Sequence, residues 1–170
     1  FIRCERNKQE LLIEKTPKWS KAVALKNGQS WKSYALAWVN KKNPGIVTIS
    51  AHVFNDFGYL RESLYLKKLP YKTGHYILRK KNYNIDTLKT YSFYATSCAD
   101  GDVSEDYFDL LEEENNFVEI KTIDPANMIM SGIFQAIFVR DTSDFVSNPS
   151  LPDTFRFEKG YFYIKIVGND

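Results

Sequence analysis

The chain has 170 residues, and its 23 basic against 21 acidic side chains give a formal net charge of +2. This length predicts one domain with a core of its own, and 44% hydrophobic with 26% charged residues excludes a disordered or collagen-like chain. The near-neutral charge argues against a nucleic-acid-binding protein, and no apolar run reaches the ~18 residues that a transmembrane helix needs.

The first predicted element is an N-terminal segment, residues 1–18, that precedes the folded domain. Residues 5–15 are expected to form a short helical or irregular stretch ending before Pro17, because proline disfavours helix in the residue before it. Hydrophobic side chains then alternate with a period of two, which predicts a single all-β domain over residues 19–170. Asn27-Gly28 is the strongest hairpin signal, because both positions of a type I′ turn need positive φ.

About ten short strands follow, with turn signals roughly every 8–12 residues, a pattern typical of an antiparallel meander barrel or sandwich. They are predicted over residues 22–25, 31–39, 46–54, 60–67, 75–79, 91–96, 107–111, 117–123, 128–140 and 154–157, the last leading through Lys159-Gly160 to residues 161–167. Asn43-Pro44-Gly45 is expected to break the chain between the second and third strands. Residues 104–114 could instead form a helix capped by Ser104, but three glutamates at its C-terminal end would oppose the helix dipole, so strand is favoured.

Two predicted strands indicate how the sheet is covered. Both faces of residues 128–140 are largely apolar, which predicts that this strand is covered on both sides. Residues 161–167 alternate instead, with Phe162, Ile164 and Ile166 on the predicted core face.

The aromatic residues, 15% of the chain, are the main functional clue. One face of the predicted second strand combines a large ring with three small side chains: Trp31, Ser33, Ala35 and Ala37. Small side chains that face a barrel interior leave volume for a ligand or for a bulky neighbour. The residues predicted to line such a cavity are Trp31, Tyr76, Phe134 and Phe162. Their ligand would be a small apolar molecule or a sugar; the alternative is that these rings form an ordinary packed core.

The small net charge conceals an asymmetry between the two halves of the chain. Residues 1–89 carry 18 basic and 6 acidic side chains, whereas residues 90–170 carry 5 basic and 15 acidic ones. The favoured interpretation is that opposite charges pair across neighbouring strands. The alternative is a molecule with one basic and one acidic face that steers charged partners.

The densest group of oxygen ligands lies in an acidic loop, and its candidate metal ligands are Asp100, Asp102 and Glu105. Calcium takes 6–8 oxygen ligands, and alternating acidic residues can wrap one ion in a short loop. The alternative is a solvated turn, because the closing bidentate glutamate of a calcium loop is missing. No cofactor is expected.

Enzyme chemistry receives little support from the sequence. His52 and His75 are the only imidazoles, and no Gly-x-Ser-x-Gly nucleophile motif accompanies them. A hydrolase would require a histidine, or two of the 21 carboxylates, to converge in a cleft.

The two cysteines, Cys4 and Cys98, lack the spacing of a structural zinc site, and a disulfide between them is left open. Cys4 and the polar stretch after it are similar to the start of a mature bacterial lipoprotein, which would attach the chain to a membrane through a lipid. Arg3 departs from that pattern, because a small residue usually precedes the lipidated cysteine.

Three short motifs stand out along the chain. They are the Asn27-Gly28 turn with Trp31 after it, the segment Gly74-His75-Tyr76-Ile77-Leu78, and a closing block containing Ser131-Gly132-Ile133-Phe134 and Gly160-Tyr161-Phe162. Together they resemble a family of uncharacterised cell-envelope lipoproteins of Bacteroidota. The resemblance implies a lipocalin-like β fold and a location in the cell envelope, but no activity and no catalytic residue. Ile133 departs from the family, which usually has Thr there.

The sequence therefore predicts a non-enzymatic protein of the bacterial cell envelope that binds an apolar or carbohydrate ligand or a surface partner. Two alternatives stay open. One is a structural or interaction protein without a small-molecule ligand, and the other is a hydrolase with an unidentified histidine or carboxylate site.

Overall fold

Ten β-strands make up the regular structure of the described part of the chain. The computed structural model describes residues 20–81, 89–98, 101, 104–143 and 148–168, and no helix occurs in these ranges. The strands are β1 Lys21–Lys26, β2 Gln29–Asn40, β3 Asn43–Phe54, β4 Leu60–Pro70, β5 Gly74–Ile77, β6 Tyr91–Ser97, β7 Ser104–Leu110, β8 Phe117–Asp124, β9 Ile129–Arg140 and β10 Thr154–Gly168. The predicted all-β class is confirmed, as is strand for β7. The predicted N-terminal helix lies outside the described residues.

Eight of the strands close into a barrel-like ring. Following the ring, β1 pairs with β2, then come β3, β4, β6, β7, β9 and β10, and β10 pairs again with β1. β8 pairs with the first part of β9, and β5 pairs with β8, so these two strands form a flap beside the ring. A closed ring removes most exposed strand edges.

One strand pair is parallel, although the sequence predicts only antiparallel neighbours. Residues 165–168 of β10 run parallel to residues 36–39 of β2. The reason is geometric: β1 is antiparallel to both β2 and β10, so these two strands must run in the same direction where they meet beyond the end of β1.

Ser20 stabilises the point where β2 and β10 come together. Its hydroxyl donates a hydrogen bond to the carbonyl oxygen of Ala35 (2.6 Å) and accepts one from the backbone N–H of Lys165 (2.9 Å). Its own carbonyl accepts the N–H of Ala35 at 3.1 Å. Because Ser20 is fully buried, these hydrogen bonds pair backbone groups that lie away from water.

The tight turns agree with the sequence in one case and differ in another. Asn27 and Gly28 have φ of 49° and 79°, so the predicted β1–β2 hairpin turn is confirmed. The break predicted at Asn43-Pro44-Gly45 is wrong, because β3 already begins at Asn43. The chain turns earlier, where the Asn40 side chain accepts the N–H groups of Lys42 and Asn43 at 2.9 and 3.2 Å.

The core fills the inside of the ring. The inner face of β2 carries the buried residues Trp31, Ser33, Ala35 and Ala37, and the inner face of β10 carries Phe162, Ile164 and Ile166. Both faces agree with the sequence. In β9 the inner residues are buried, but Ile137 is the only fully buried residue on the outer face, and the others stay half-buried. Among the described residues the outer face of β9 is therefore only half-covered, which is less than the full cover on both sides that the sequence predicts.

A cluster of aromatic rings forms one end of this core. Tyr94 stands at its centre, with ring centroids 5.0–6.0 Å from those of four phenylalanines: Phe108, Phe138, Phe155 and Phe157. Trp31 extends the cluster through an edge contact with Phe157 at 5.0 Å. Edge-to-face and tilted ring pairs of this kind add to the stabilisation from burial alone.

Candidate ligand-binding cleft

The four predicted lining residues do not share one environment. Trp31, Phe134 and Phe162 are 4%, 2% and 0% exposed and belong to the packed core. Tyr76 lies on the β5 flap, half-buried, and its hydroxyl donates to the carbonyl oxygen of Lys72 at 2.8 Å. Trp31 lies near a different opening, the cleft described next. A ligand cavity lined by all four residues remains a prediction.

A cleft of about 450 Å³ opens at the end of the ring that contains the β1–β2 turn. We call it the Glu62 cleft. Much of its lining is polar or charged: Lys26, Asn27, Gln29, Arg61, Glu62, Thr96, Ser97 and Glu105. Its apolar wall and floor come from Tyr94, Leu151, Pro152 and Phe155. Concave openings at the mouths of barrel-like folds, with a few polar groups over an apolar floor, are common ligand sites.

Glu62 is the central polar residue of this cleft. Its Oε1 accepts a hydrogen bond from Lys26 Nζ at 2.5 Å, and its Oε2 accepts one from Trp31 Nε1 at 2.8 Å. Both members of the Lys26–Glu62 ion pair are mostly buried. The two donors fix the Glu62 carboxylate in one orientation. Because Trp31 belongs to the aromatic core, its hydrogen bond also connects the cleft to that core.

The hydroxyl group of Tyr94 lies beside this carboxylate at the floor of the cleft. Tyr94 is fully buried, and its hydroxyl makes no hydrogen bond of full geometry among the described residues, although it lies close enough to the Glu62 carboxylate for a weak one. Burial raises the pKa of Tyr94, and the neighbouring charge of Glu62 raises it further. The phenol therefore stays protonated and is available as a hydrogen-bond donor.

A buried arginine holds the apolar wall of the cleft in place. The guanidinium of Arg140 pairs with Asp106 at 3.0 Å, and both side chains are 3% exposed. The same guanidinium donates to the carbonyl oxygens of Asn148 (3.0 Å) and Leu151 (2.6 Å). The backbone N–H of Asn148 donates in turn to Asp106 at 3.1 Å. The segment that carries Leu151 is thus fixed by a charge-assisted network.

The predicted metal ligands are only partly described. Asp100 and Asp102 lie outside the described residues, and Glu105 lies on β7, where it lines the Glu62 cleft. Within the described ranges, no three or more His, Cys, Asp or Glu side chains are grouped to hold a metal ion. Cys98 is half-buried, and Cys4 lies outside the described residues. No helix in the described part of the chain is long and apolar enough to cross a membrane.

The two histidines lie away from the cleft. His52 is on the outer face of β3, where its Nδ1 is 3.0 Å from Ser63 Oγ and its ring contacts Phe54 and Tyr65. Burial lowers the pKa of His52 to about 4, so the ring is neutral at pH 7. His75 stacks on Phe117 across the flap at 4.8 Å.

Most ion pairs between described residues join two residues of the same half of the sequence. Lys80 and Asp109 pair across the halves at 2.9 Å, as the charge asymmetry predicts. Lys26–Glu62 joins two residues of the basic half, however, and Arg140–Asp106 joins two residues of the acidic half. Which charged residues pair therefore depends more on the strand register than on the difference in charge between the two halves of the sequence.

Lys26, Glu62 and Tyr94 were not among the site residues predicted from the sequence. A signal existed for Glu62, because it alternates with Leu64 and Leu66 and so must face the interior of the ring. Tyr94 gave no such signal, since both faces of β6 carry aromatic residues.

Comparisons with protein-family models, with curated proteins and with solved structures found no match to this chain. The resemblance to envelope lipoproteins therefore remains a prediction from the sequence motifs.

Proposed function

We propose that the protein is a binding module that takes a small, hydroxyl-rich ligand of the carbohydrate class in the Glu62 cleft. The observation that carries this proposal is the Tyr94 hydroxyl, a fully buried donor at the floor of the cleft that makes at most a weak hydrogen bond, to Glu62, among the described residues. A poorly satisfied buried hydroxyl costs free energy, and a ligand oxygen placed against it would recover that loss.

The polar lining favours a carbohydrate over a purely apolar ligand. An apolar molecule would strip water from the Lys26–Glu62 ion pair without replacing the lost hydrogen bonds. A sugar offers hydroxyls to Gln29 and the charged pair, and its apolar ring face can lie on the wall formed by Leu151 and Pro152. A volume of about 450 Å³ falls in the range of small-molecule sites.

The experiment is a saccharide titration of the wild-type protein and of Tyr94→Phe, followed by NMR chemical-shift changes. We expect saturable binding that shifts the Trp31 indole N–H signal. Because Tyr94→Phe removes only this hydroxyl oxygen, it is expected to weaken binding about five- to tenfold while leaving the unfolding free energy equal or about 1 kcal/mol higher.

Tyr161→Phe is the matched control, because Tyr161 is an exposed tyrosine on the outer face of β10. It should change neither binding nor stability. The proposal is rejected if no saccharide binds the wild-type protein, or if Tyr94→Phe lowers stability and leaves binding unchanged.

A hydrolase acting on the same ligand class is a second candidate, because two carboxylates, Glu62 and Glu105, line one cleft. Binding is favoured over hydrolysis, since both Glu62 oxygens already accept hydrogen bonds from Lys26 and Trp31. Incubation with nitrophenyl glycosides distinguishes the two candidates. Release of nitrophenol by the wild-type protein, lost in both Glu62→Gln and Glu105→Gln, would support the hydrolase.

The cell-envelope location and a lipid on Cys4 remain proposals that rest on the family resemblance. Fractionation of the source cells and mass spectrometry of the N-terminal peptide test them directly. An interaction role without a small ligand is the outcome to pursue if the cleft binds no saccharide.

A further inference from the structure

A second concave surface lies on the outside of the ring and is independent of the Glu62 cleft. It is a groove of about 410 Å³ over β4, β6 and β7. We call it the Lys67 groove. Its apolar lining includes Leu60, Phe93, Ala95 and Tyr107.

Two lysine ammonium groups converge in this groove. Lys67 Nζ lies 5.2 Å from the centroid of the Phe93 ring, and Lys81 Nζ lies 5.9 Å from the same centroid. Lys67 also lies 5.0 Å from the centroid of Tyr65, whose ring stacks on Phe93. Cation–π contacts hold the two positive charges at one place on the surface.

Lys67 has no carboxylate partner within the part of the chain that the structure describes. It forms no ion pair with any residue of the described ranges, and the carboxylate of Asp109, which also lines the groove, pairs with Lys80 at 2.9 Å. Burial lowers the pKa of Lys67, and the nearby charge of Lys81 lowers it further. A bound anion would offset both effects.

We propose that the Lys67 groove binds an oxyanion carried on an aromatic or apolar body. The anionic group lies between the ammonium groups of Lys67 and Lys81, and the body lies along the apolar wall formed by Leu60 and Tyr107. A free inorganic anion and an organic phosphate share the charged group, but only the organic phosphate uses the wall. The groove should therefore prefer the organic one.

Calorimetric titration with phenyl phosphate, inorganic phosphate and phenol tests this inference. We expect phenyl phosphate to bind at least about tenfold more tightly than either other probe, because it alone combines charge with an apolar body. Binding should weaken as salt concentration rises. Lys67→Met should lower the affinity for phenyl phosphate by about tenfold or more, whereas Lys67→Arg, which keeps the charge, should retain most of it.

Lys121→Met is the matched control, since Lys121 is an exposed lysine on β8 outside the groove. A thermal melt of each variant confirms that it is folded. The inference is overturned if phenyl phosphate fails to bind the wild-type protein, or if Lys67→Met binds it as well as Lys121→Met does. Equal affinity for inorganic phosphate would overturn the role of the apolar wall.

Discussion

Phe134 and Gly160 face each other across β9 and β10, and the phenyl ring occupies the space in which a side chain at Gly160 would lie. A Cβ added to Gly160 would stand 2.6 Å from Cδ1 of Phe134. A second contact of this kind has the two strands exchanged: the Phe162 ring of β10 lies over Gly132 of β9, its partner in the ladder. These two reciprocal pairs fix the register of β9 against β10, because a shift of either strand would place a ring against a side chain.

Gly160→Ala is expected to lower the free energy of unfolding by about 3 kcal/mol, because the added methyl would collide with the Phe134 ring and its carbonyl oxygen. Urea denaturation measures the change. Gly168→Ala is the control, because a Cβ there meets no atom within 4 Å. Equal stability of the two variants would show that the β9–β10 pair can shift to accommodate the side chain.

The fold could be predicted well because it depends on a local pattern. Alternating hydrophobic side chains and the Asn27-Gly28 turn identified nearly every strand, since period and turn chemistry act over a few residues. The closing glycine motifs were also visible in the sequence. Their function was not, because the close approach of Phe134 to Gly160 exists only once β9 and β10 have paired.

The candidate site depends on distant pairs, and this explains why the sequence did not reveal it. Lys26 and Glu62 are 36 positions apart, and Trp31 and Glu62 are 31 apart. Their meeting requires β1, β2, β3 and β4 in the observed register. Trp31 could be selected from the sequence as an aromatic residue of interest, but its indole N–H, rather than its ring face, connects it to the cleft.

The buried Arg140–Asp106 pair gives a prediction about the wall of the Glu62 cleft. Asp106→Asn keeps the shape of the side chain but leaves the Arg140 guanidinium, 3% exposed, without its buried counter-charge. We expect the free energy of unfolding to fall by about 3 kcal/mol, because removing one member of a buried ion pair leaves the other as an unpaired buried charge. Urea denaturation at neutral pH measures the change.

Asp153→Asn is the control for this pair. Asp153 approaches the same guanidinium at 3.4 Å, but its side chain is 90% exposed. Exposed ion pairs contribute about 0–1 kcal/mol, so this variant should stay close to the wild-type protein. If both variants lose the same stability, burial of Asp106 does not determine the strength of its pair.

Because His52 is buried and neutral, the folded protein is expected to lose stability in weak acid. Burial lowers the pKa of His52 to about 4 in the folded protein, whereas an unfolded histidine titrates near 6.5. The unfolded chain therefore binds a proton first, and stability falls as the pH drops from about 6.5 to 4, by at most about 3 kcal/mol. His52→Gln removes the titrating group and should flatten this part of the curve when unfolding is measured from pH 8 to pH 4. An unchanged slope in His52→Gln would assign the acid sensitivity to other groups.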